Sequence, residues 1–218
     1  MKLVLAVAAS AIALGASAAQ AGVIYASPAG VDVNGVTTPD LTSVATPSVG
    51  IFASFDPRPE NGGGVVVDEV DQSTGWHDSQ IEVEADGHVR VSMWYYGNVG
   101  ALDLGLATFG ANNTVAVNYD NATGVLSGRL NGGALISHTS YPGSRSTPVQ
   151  SNYTQYYAFG RGDGTNLGNG APFVGSITNV VITDGSGGAV PEPASWALMI
   201  LGVSFTGAAL RRRAPATA

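Results

Sequence analysis

Short runs in which apolar and polar residues alternate fill the middle of this chain. Between residues 49 and 183 these runs are separated by turns rich in Gly, Asn, Asp and Pro, and no stretch there has a convincing helical pattern. Alternation places successive side chains on opposite faces of a β-strand. The pattern predicts an all-β sandwich or barrel with strands at 49–55, 64–70, 79–85, 88–96, 101–109, 114–119, 125–130, 134–139, 153–159 and 173–183.

One predicted hairpin shows both faces. In 79–85, Ile81 and Val83 face one way and the acidic residues between them face the other, and Asp86-Gly87 is a two-residue hairpin signal. The returning run has an apolar face of Val89, Val91, Met93 and Tyr95. Its opposite face holds Arg90, Ser92, Trp94 and Tyr96. We expect the apolar set in the core.

Both ends of the chain have the pattern of protein-targeting signals. Lys2, an apolar run to Leu14 and the small residues Ala19 and Ala21 predict a signal peptide over 1–21, cut before Gly22. Residues 194–210 carry no charge and precede three arginines, which predicts a transmembrane helix with the arginines on the cytoplasmic side. The intervening chain divides into a β-sandwich domain at 22–183 and a flexible linker at 184–190, and a short tail follows at 214–218.

The charge of the predicted exported part excludes several partners. Residues 22–190 hold fifteen Asp and Glu, five Arg and no Lys, a net charge of −10. Such a surface repels nucleic acid and anionic lipid, which need basic patches. It suits a protein that binds neutral sugars or divalent cations. The chain contains no Cys, so neither disulfides nor a thiol nucleophile are available.

The C-terminal pattern also carries a family resemblance. Pro-Glu-Pro, two residues, Trp-Ala, an apolar helix and an arginine cluster resemble the PEP-CTERM sorting signal of the PEPxxWA type, here at 191–213. The resemblance implies processing by an exosortase of a Gram-negative bacterium. An inner-membrane intermediate would precede delivery to the cell surface or to an extracellular matrix with exopolysaccharide. The expected signal residues are Pro191, Glu192, Pro193 and Trp196, with Arg211, Arg212 and Arg213 for membrane retention.

A second resemblance concerns the middle of the chain. Residues 113–132 are similar to the central hairpin of concanavalin A-like and laminin-G-like domains, and 173–182 resembles their closing strand. The resemblance implies a two-sheet jelly-roll sandwich with a lectin-like role. It also allows a calcium ion near a sheet rim, with oxygen ligands from Asp120-Asn121 or Asp163. Asp120-Asn121 also fits a simple turn, and the sequence calls for no cofactor otherwise.

Aromatic residues suggest where a glycan would bind. Sugar rings stack on aromatic faces, and carboxylates and amides accept hydrogen bonds from sugar hydroxyls. The candidate glycan-binding residues are Trp76, Asp78, Trp94, Tyr96, Asn98 and Asp163. The competing interpretation places about half of the aromatic residues in the core between the sheets.

Two other functions remain open. Glu69 and Asp71 would share one strand face, as the paired carboxylates of a jelly-roll glycoside hydrolase require, but a third acid is missing and a solvated strand end is favoured. An ice- or surface-adhesion protein would need repeated Thr-x-Thr, which does not occur. The histidines have no metal-ligand spacing and no Gly-x-Ser-x-Gly motif occurs, so the sequence favours a non-catalytic binding protein without a metal site.

Overall fold

A computed structural model describes residues 22–31, 37–41, 44, 46–58, 63–71, 76–94, 98–139, 155–160 and 172–185. The regular structure of these residues is entirely β, in eleven strands. The strands are β1 (Val23–Ser27), β2 (Val49–Pro57), β3 (Gly64–Asp71), β4 (Trp76–Val83), β5 (His88–Trp94), β6 (Asn98–Leu106), β7 (Asn113–Asp120), β8 (Val125–Leu130), β9 (Ile136–Thr139), β10 (Gln155–Phe159) and β11 (Gly175–Thr183).

The strands form two antiparallel sheets. One has six strands in the order β1-β11-β2-β7-β8-β9, and the other has five in the order β10-β3-β4-β5-β6. Neighbours in space such as β11 and β2, or β10 and β3, are far apart in sequence, so long connections cross between the sheets. This is a two-sheet jelly-roll sandwich, and it confirms the predicted fold class.

The core lies between the sheets and follows the alternation of the strands. From the six-stranded sheet it takes Ile51, Phe55, Val117 and Tyr119, and from the other Ile81, Val91 and Met93, each no more than 2% exposed. Phe55 and Phe173 meet edge to face, with ring centroids 6.3 Å apart. Each such side chain stabilises the fold by roughly 1.5–3 kcal/mol through burial, so these residues are the main link between the sheets.

All ten predicted strands are present, with ends displaced by a few residues, and one strand was missed. That strand is β1, which pairs with the long closing strand β11. It is a five-residue edge strand with mixed burial and an irregular register between Val23 and Tyr25. Such a strand has no clean alternation, which explains why the pattern did not reveal it.

The hairpin at Asp86-Gly87 differs from the prediction. Glu84 N donates to His88 O at 2.8 Å and Gly87 N donates to Glu84 O at 2.9 Å, so three residues form the loop rather than two. Gly87 has a φ of 91°, and His88 N donates to the Asp86 carboxylate at 3.1 Å. A turn followed by a left-handed glycine is the usual three-residue solution.

Close backbone approach explains the glycine that opens β11. Gly175 has a φ of 151°, and a Cβ there would stand 2.0 Å from Asp56 O on the neighbouring strand β2. No side chain fits that space, so this glycine allows the closing strand to pair.

The domain ends are held together. Gly22 N donates to Asp184 Oδ1 and Asp184 N donates to Gly22 O, each at 3.0 Å. Asp184 and the buried Gly185, which the sequence assigns to the linker, are therefore bonded to or packed on the domain. The predicted signal peptide, the rest of the linker, the sorting signal and the tail lie outside the described residues. Within the described ranges, no helix is long and apolar enough to cross a membrane.

Candidate functional site

Four polar side chains share the outer face of the five-stranded sheet, the face turned away from the core. Asp68 on β3 pairs with Gln80 on β4, and Gln80 pairs with Ser92 on β5. Glu82 lies two residues beyond Gln80 and therefore on the same face. We call Asp68, Gln80, Glu82 and Ser92 the polar patch.

The polar patch is buried, although it lies outside the core. Its four residues are 1%, 2%, 0% and 0% exposed, in sequence order. Carboxylates and amides are costly to remove from water unless they are hydrogen-bonded or paired. Gln80 Nε2 donates to Asp68 Oδ1 at 3.4 Å, a long hydrogen bond. Residues of this kind are expected on the surface of an acidic protein, so their burial is unusual and makes this cluster the candidate site.

Two oxygens on directly paired residues of the patch lack hydrogen-bond partners. Within the described part of the chain, Gln80 Oε1 and Ser92 Oγ are buried and have no hydrogen-bond partner. More than about 90% of buried polar groups in folded proteins have one. The two residues are direct cross-strand neighbours on one face of β4 and β5. Together they offer an amide acceptor and a hydroxyl that can donate or accept, which is a suitable pair for a ligand rich in hydroxyls.

The exposed margin of this sheet carries two ion pairs. Arg90 Nε lies 2.7 Å from Glu84 Oε1, and His88 Nδ1 lies 2.9 Å from Asp103 Oδ1. The hydrogen bond to Asp103 raises the pKa of His88, and the same bond lowers the pKa of Asp103. Both cations of the margin therefore have a carboxylate partner at the rim of the sheet.

The backbone brings four of the six predicted glycan residues to one end of the five-stranded sheet. Trp76 opens β4, Trp94 closes β5 and Asn98 opens β6, and Trp94 pairs with Asn98. Asp78 also lies on β4, two residues from Gln80. The side chains of these four lie outside the described structure, as do Tyr96 and Asp163 entirely. The glycan assignments therefore stay predictions.

Sequence reasoning placed part of the polar patch and missed the rest. The alternation assigned Glu82 and Ser92 to a face opposite the apolar residues, and they lie there. Asp68 was missed because three consecutive valines precede it, and the pairing of β3 with β4 is irregular between Val65 and Val67. A continuous apolar run gives no alternation to follow.

Glu69 does not fit the catalytic role considered for it. It pairs with Ser79 on β4 and with Tyr157 on β10, on the sheet face that carries the core. Glu69 is 1% exposed and accepts a hydrogen bond from Ser79 Oγ at 2.5 Å. A carboxylate turned inward cannot act on a glycan at the outer face. The side chain of Asp71 lies outside the described structure.

The turn at Asp120 uses its carboxylate for its own structure. Asp120 Oδ1 accepts from Ala122 N at 2.9 Å, and Oδ2 accepts from Thr123 Oγ1 at 2.8 Å. Asn121 Oδ1 accepts from the Tyr119 hydroxyl at 3.2 Å. These contacts support the turn interpretation of Asp120-Asn121. Among the described residues, no three His, Cys, Asp or Glu side chains group to hold a metal ion.

Fold and site together define a jelly-roll sandwich with a buried polar patch on the outer face of one sheet. Residues 189–213 match the PEP-CTERM protein-sorting motif. This confirms the resemblance seen in the C-terminal sequence and marks the chain as an exosortase substrate, exported to the cell surface. No curated protein sequence matches the chain.

Several solved structures resemble the sandwich. The CBM40 carbohydrate-binding module of a Ruminococcus gnavus IT-sialidase, bound to alpha2,3-sialyllactose, aligns with a TM-score of 0.56 at 17% identity, over 75% of this chain and 92% of that one. A leech intramolecular trans-sialidase aligns with a TM-score of 0.57 at 18% identity, over 75% of this chain and 26% of that one. The NanB sialidase of Streptococcus pneumoniae aligns with a TM-score of 0.56 at 13% identity, over 75% of this chain and 26% of that one. At such identities the likeness establishes the fold alone.

Proposed function

We propose that this protein is an exported, non-catalytic lectin-like protein that binds polysaccharide at the outer face of its five-stranded sheet. The observation that carries the proposal is the pair of buried oxygens without partners, Gln80 Oε1 and Ser92 Oγ. A sugar hydroxyl would supply the hydrogen bonds that these atoms lack. The fold is also that of a known carbohydrate-binding module, which supports the same function by analogy.

The strand ends beside the polar patch complete the proposed site. Trp76 and Trp94 begin and end neighbouring strands there, and an aromatic ring stacks on the apolar face of a sugar while polar groups orient its hydroxyls. We include Asp78 and Asn98 as rim acceptors. A calcium ion at Asp163 is part of the proposal only as an accessory to this rim.

Delivery follows from the two ends of the chain. The signal peptide directs export, and the apolar segment 194–210 with Arg211, Arg212 and Arg213 holds an intermediate in the inner membrane. An exosortase then cuts near Pro191. The product stays at the surface or in the matrix of a Gram-negative bacterium, next to exopolysaccharide that its acidic, lysine-free domain would not bind through charge.

Glycan binding is tested with the full-length protein in detergent on a broad polysaccharide and oligosaccharide array. Wild type is compared with Ser92→Ala, which removes one unpartnered oxygen, and with Ser54→Ala. Ser54 is the matched control because it is 2% exposed but lies on β2, in the other sheet. We expect binding by wild type and Ser54→Ala, and a loss of about tenfold in Ser92→Ala. Equal binding by all three would place the site elsewhere.

Catalysis is a second candidate, favoured by one observation. Asp68 and Glu82 lie on one face of adjacent strands as diagonal neighbours, and such positions are roughly 7–8 Å apart, within the range used by inverting glycosidases. The same array ligands, incubated with protein and assayed for new reducing ends, decide between binding and hydrolysis. Hydrolysis that Glu82→Gln abolishes would establish the enzyme, and intact ligands support the binding protein.

The sorting proposal has its own test. Replacing Pro191, Glu192 and Pro193 with alanine should block processing, so that the unprocessed chain accumulates in the inner membrane. Pro215→Ala, in the tail beyond the arginines, is the control and should be processed normally. Cell fractionation and the mass of the mature chain measure both. Normal release of the triple variant would mean that the C-terminal segment is only an anchor.

A further inference from the structure

We propose that removal of the signal peptide creates an ion pair between the new α-ammonium group of Gly22 and the carboxylate of Asp184, which closes the two ends of the domain. The pair depends on the proposed export of the chain and not on its glycan binding. Hydrolysis of the Ala21–Gly22 peptide bond consumes one water and leaves a carboxylate on Ala21. The nitrogen of Gly22 takes up a proton and becomes an ammonium group.

The carboxylate of Asp184 already lies against the nitrogen that cleavage would free. Gly22 N donates to Asp184 Oδ1 at 3.0 Å, and Asp184 N donates to Gly22 O at 3.0 Å. A Cβ on residue 22 would stand 2.9 Å from Asp184 Oδ2, so both carboxylate oxygens are close to this residue and glycine leaves room for them. An ammonium nitrogen at the same position would therefore meet an opposite charge within ion-pair distance.

The backbone that carries this carboxylate is held from its other side. Asp184 O accepts from Thr46 Oγ1 at 3.0 Å, and Gly185 N donates to Thr183 Oγ1 at 3.4 Å. Gly185 is buried with a φ of 66°, and a Cβ there would stand 2.5 Å from Val49 N. Neither charge of the proposed pair is at the end of a long side chain. Its formation therefore costs less conformational entropy than a surface pair of Lys and Glu does.

Other charges of the neighbouring segments are distant from Gly22. Residues 46–48, β1 and β11 contain no charged residue, and Asp56 lies at the opposite end of β2. Asp120 ends β7 at the same end of the sheet as Asp184, but β7 is three strands from β1. That separation is about 14 Å at the usual strand spacing, and charges so far apart are largely screened at physiological salt. Of the charged residues described on these segments, Asp184 is the one bonded to Gly22.

The ion pair would strengthen the end of the domain from which the sorting segment leaves. β1 is an edge strand that pairs with β11, and chain ends fray unless they are tied down. Asp184 directly follows β11, and residues 186–190 then lead to Pro191. The pair would therefore tie the domain together where the segment processed by the exosortase begins, and it would do so only after the signal peptide is removed.

The sequence offers a specific probe for the new ammonium group. Lys2 is the only lysine and lies in the predicted signal peptide, so the processed chain has a single primary amine, at its N-terminus. The full-length precursor is expressed in a bacterial host without an exosortase, and the processed product is purified in detergent. Its intact mass identifies the first residue, which we expect to be Gly22.

Titration of this amine tests the ion pair directly. Reductive methylation with isotopically labelled formaldehyde keeps the charge and adds a methyl signal that NMR can follow with pH. We expect the pKa of the amine to be about 0.5 higher in wild type than in Asp184→Asn, because a nearby carboxylate favours the charged form. Asp120→Asn removes the same charge at the same end of the sheet and is the matched control, which should titrate like wild type. Equal pKa values in wild type and Asp184→Asn would overturn the pair.

A second measurement does not require any variant to fold. Acetylation of the same amine removes the charge but keeps one N–H donor, so it isolates the electrostatic part of the contact. Thermal unfolding followed by circular dichroism at about pH 6 should occur about 1–3 °C higher in the processed chain than in its acetylated form. The α-amino pKa of an unfolded chain is about 7.7–8.0, and the difference should be lost as pH rises through the raised folded value. No difference at about pH 6, or one that is unchanged at about pH 10, would contradict the ion pair.

The first residue of the product separates the ion pair from the export on which it depends. A product that begins at another residue would overturn the pair and leave the proposed export standing. A precursor that keeps Lys2 and remains in the cytoplasm of the host would overturn the signal peptide, and the pair with it. Neither result bears on glycan binding, which the array tests separately.

Discussion

The outer faces of the two sheets obey the same alternation but differ in charge. On the five-stranded sheet, the outer face holds Asp68, Gln80, Glu82 and Ser92. On the six-stranded sheet, the corresponding central positions hold Ser54, Ala116, Asn118 and Thr178, which are all neutral. Asp56 lies farther along the same face and is only half-buried. Ser54 and Asn118 are also buried. Burial of polar groups alone therefore does not distinguish the faces, and the two buried carboxylates do.

The difference shows what each sheet contributes. A buried serine can be accommodated by a local hydrogen bond, as when Ser54 Oγ accepts from Asn179 Nδ2 at 3.5 Å, whereas Asn118 Oδ1 is buried without a hydrogen-bond partner among the described residues. Two buried carboxylates on adjacent strands cost more to remove from water than the neutral side chains do. We interpret the six-stranded sheet as the support and the five-stranded sheet as the binding sheet.

The largest expected effect concerns the core that both sheets share. Phe55→Ala removes a fully buried ring that meets Phe173, and should lower the free energy of unfolding by about 3–5 kcal/mol. Chemical denaturation measures this free energy. Phe109→Ala is the control, because Phe109 is only partly buried and packs against the core, and it should lower the free energy of unfolding by less. Equal losses in the two variants would contradict a core centred between the sheets.

An intermediate change in stability is expected when equivalent serines on the two outer faces are replaced by alanine. Ser92→Ala removes an oxygen without a partner, so the free energy of unfolding should stay unchanged or rise by about 1 kcal/mol. Ser54→Ala removes a hydrogen-bond acceptor and should lower it by about 0.5–1 kcal/mol. Denaturant midpoints give both values. A larger loss for Ser92→Ala than for Ser54→Ala would mean that Ser92 serves the fold rather than a ligand.

The smallest effect belongs to the exposed margin of the binding sheet. The raised pKa of His88 means that its pair with Asp103 stabilises the fold below the unfolded-state pKa of 6.5, and this stabilisation is lost as pH rises through the raised value. The lowered pKa of Asp103 adds stability above 3.8, which is lost as pH falls through the lowered value. The pair should therefore contribute most between pH 3.8 and 6.5.

Asp103→Asn tests this margin. The variant should be slightly less stable than wild type near pH 5, and the difference should disappear above the raised pKa of His88. Titration of the His88 ring by NMR should show its pKa moving down toward 6.5 in the variant. A difference in stability that is independent of pH would show that Asp103 acts through its bond from Gly105 N instead.

Particular residues show how far the sequence could predict the site. Glu82 and Ser92 were assigned to a polar face because alternation is local and survives in β4 and β5. The outward position of Asp68 and the inward position of Glu69 were not predictable. A run of valines gives no alternation, and two register irregularities in the pairing of β3 with β4 change which face of the sheet each residue takes. The edge strand β1 was missed for the same reason.

The sequence by itself determined the all-β class, ten of the eleven described strands and the sorting motif, because each depends on residues close together in the chain. Only the tertiary structure brought Asp68, Gln80 and Ser92 into one row, since strand pairing joins residues that are distant in sequence. One residue of slip in that register would turn the carboxylates to the other face. The pairing of strands, held by the core, therefore decided which acids form the polar patch.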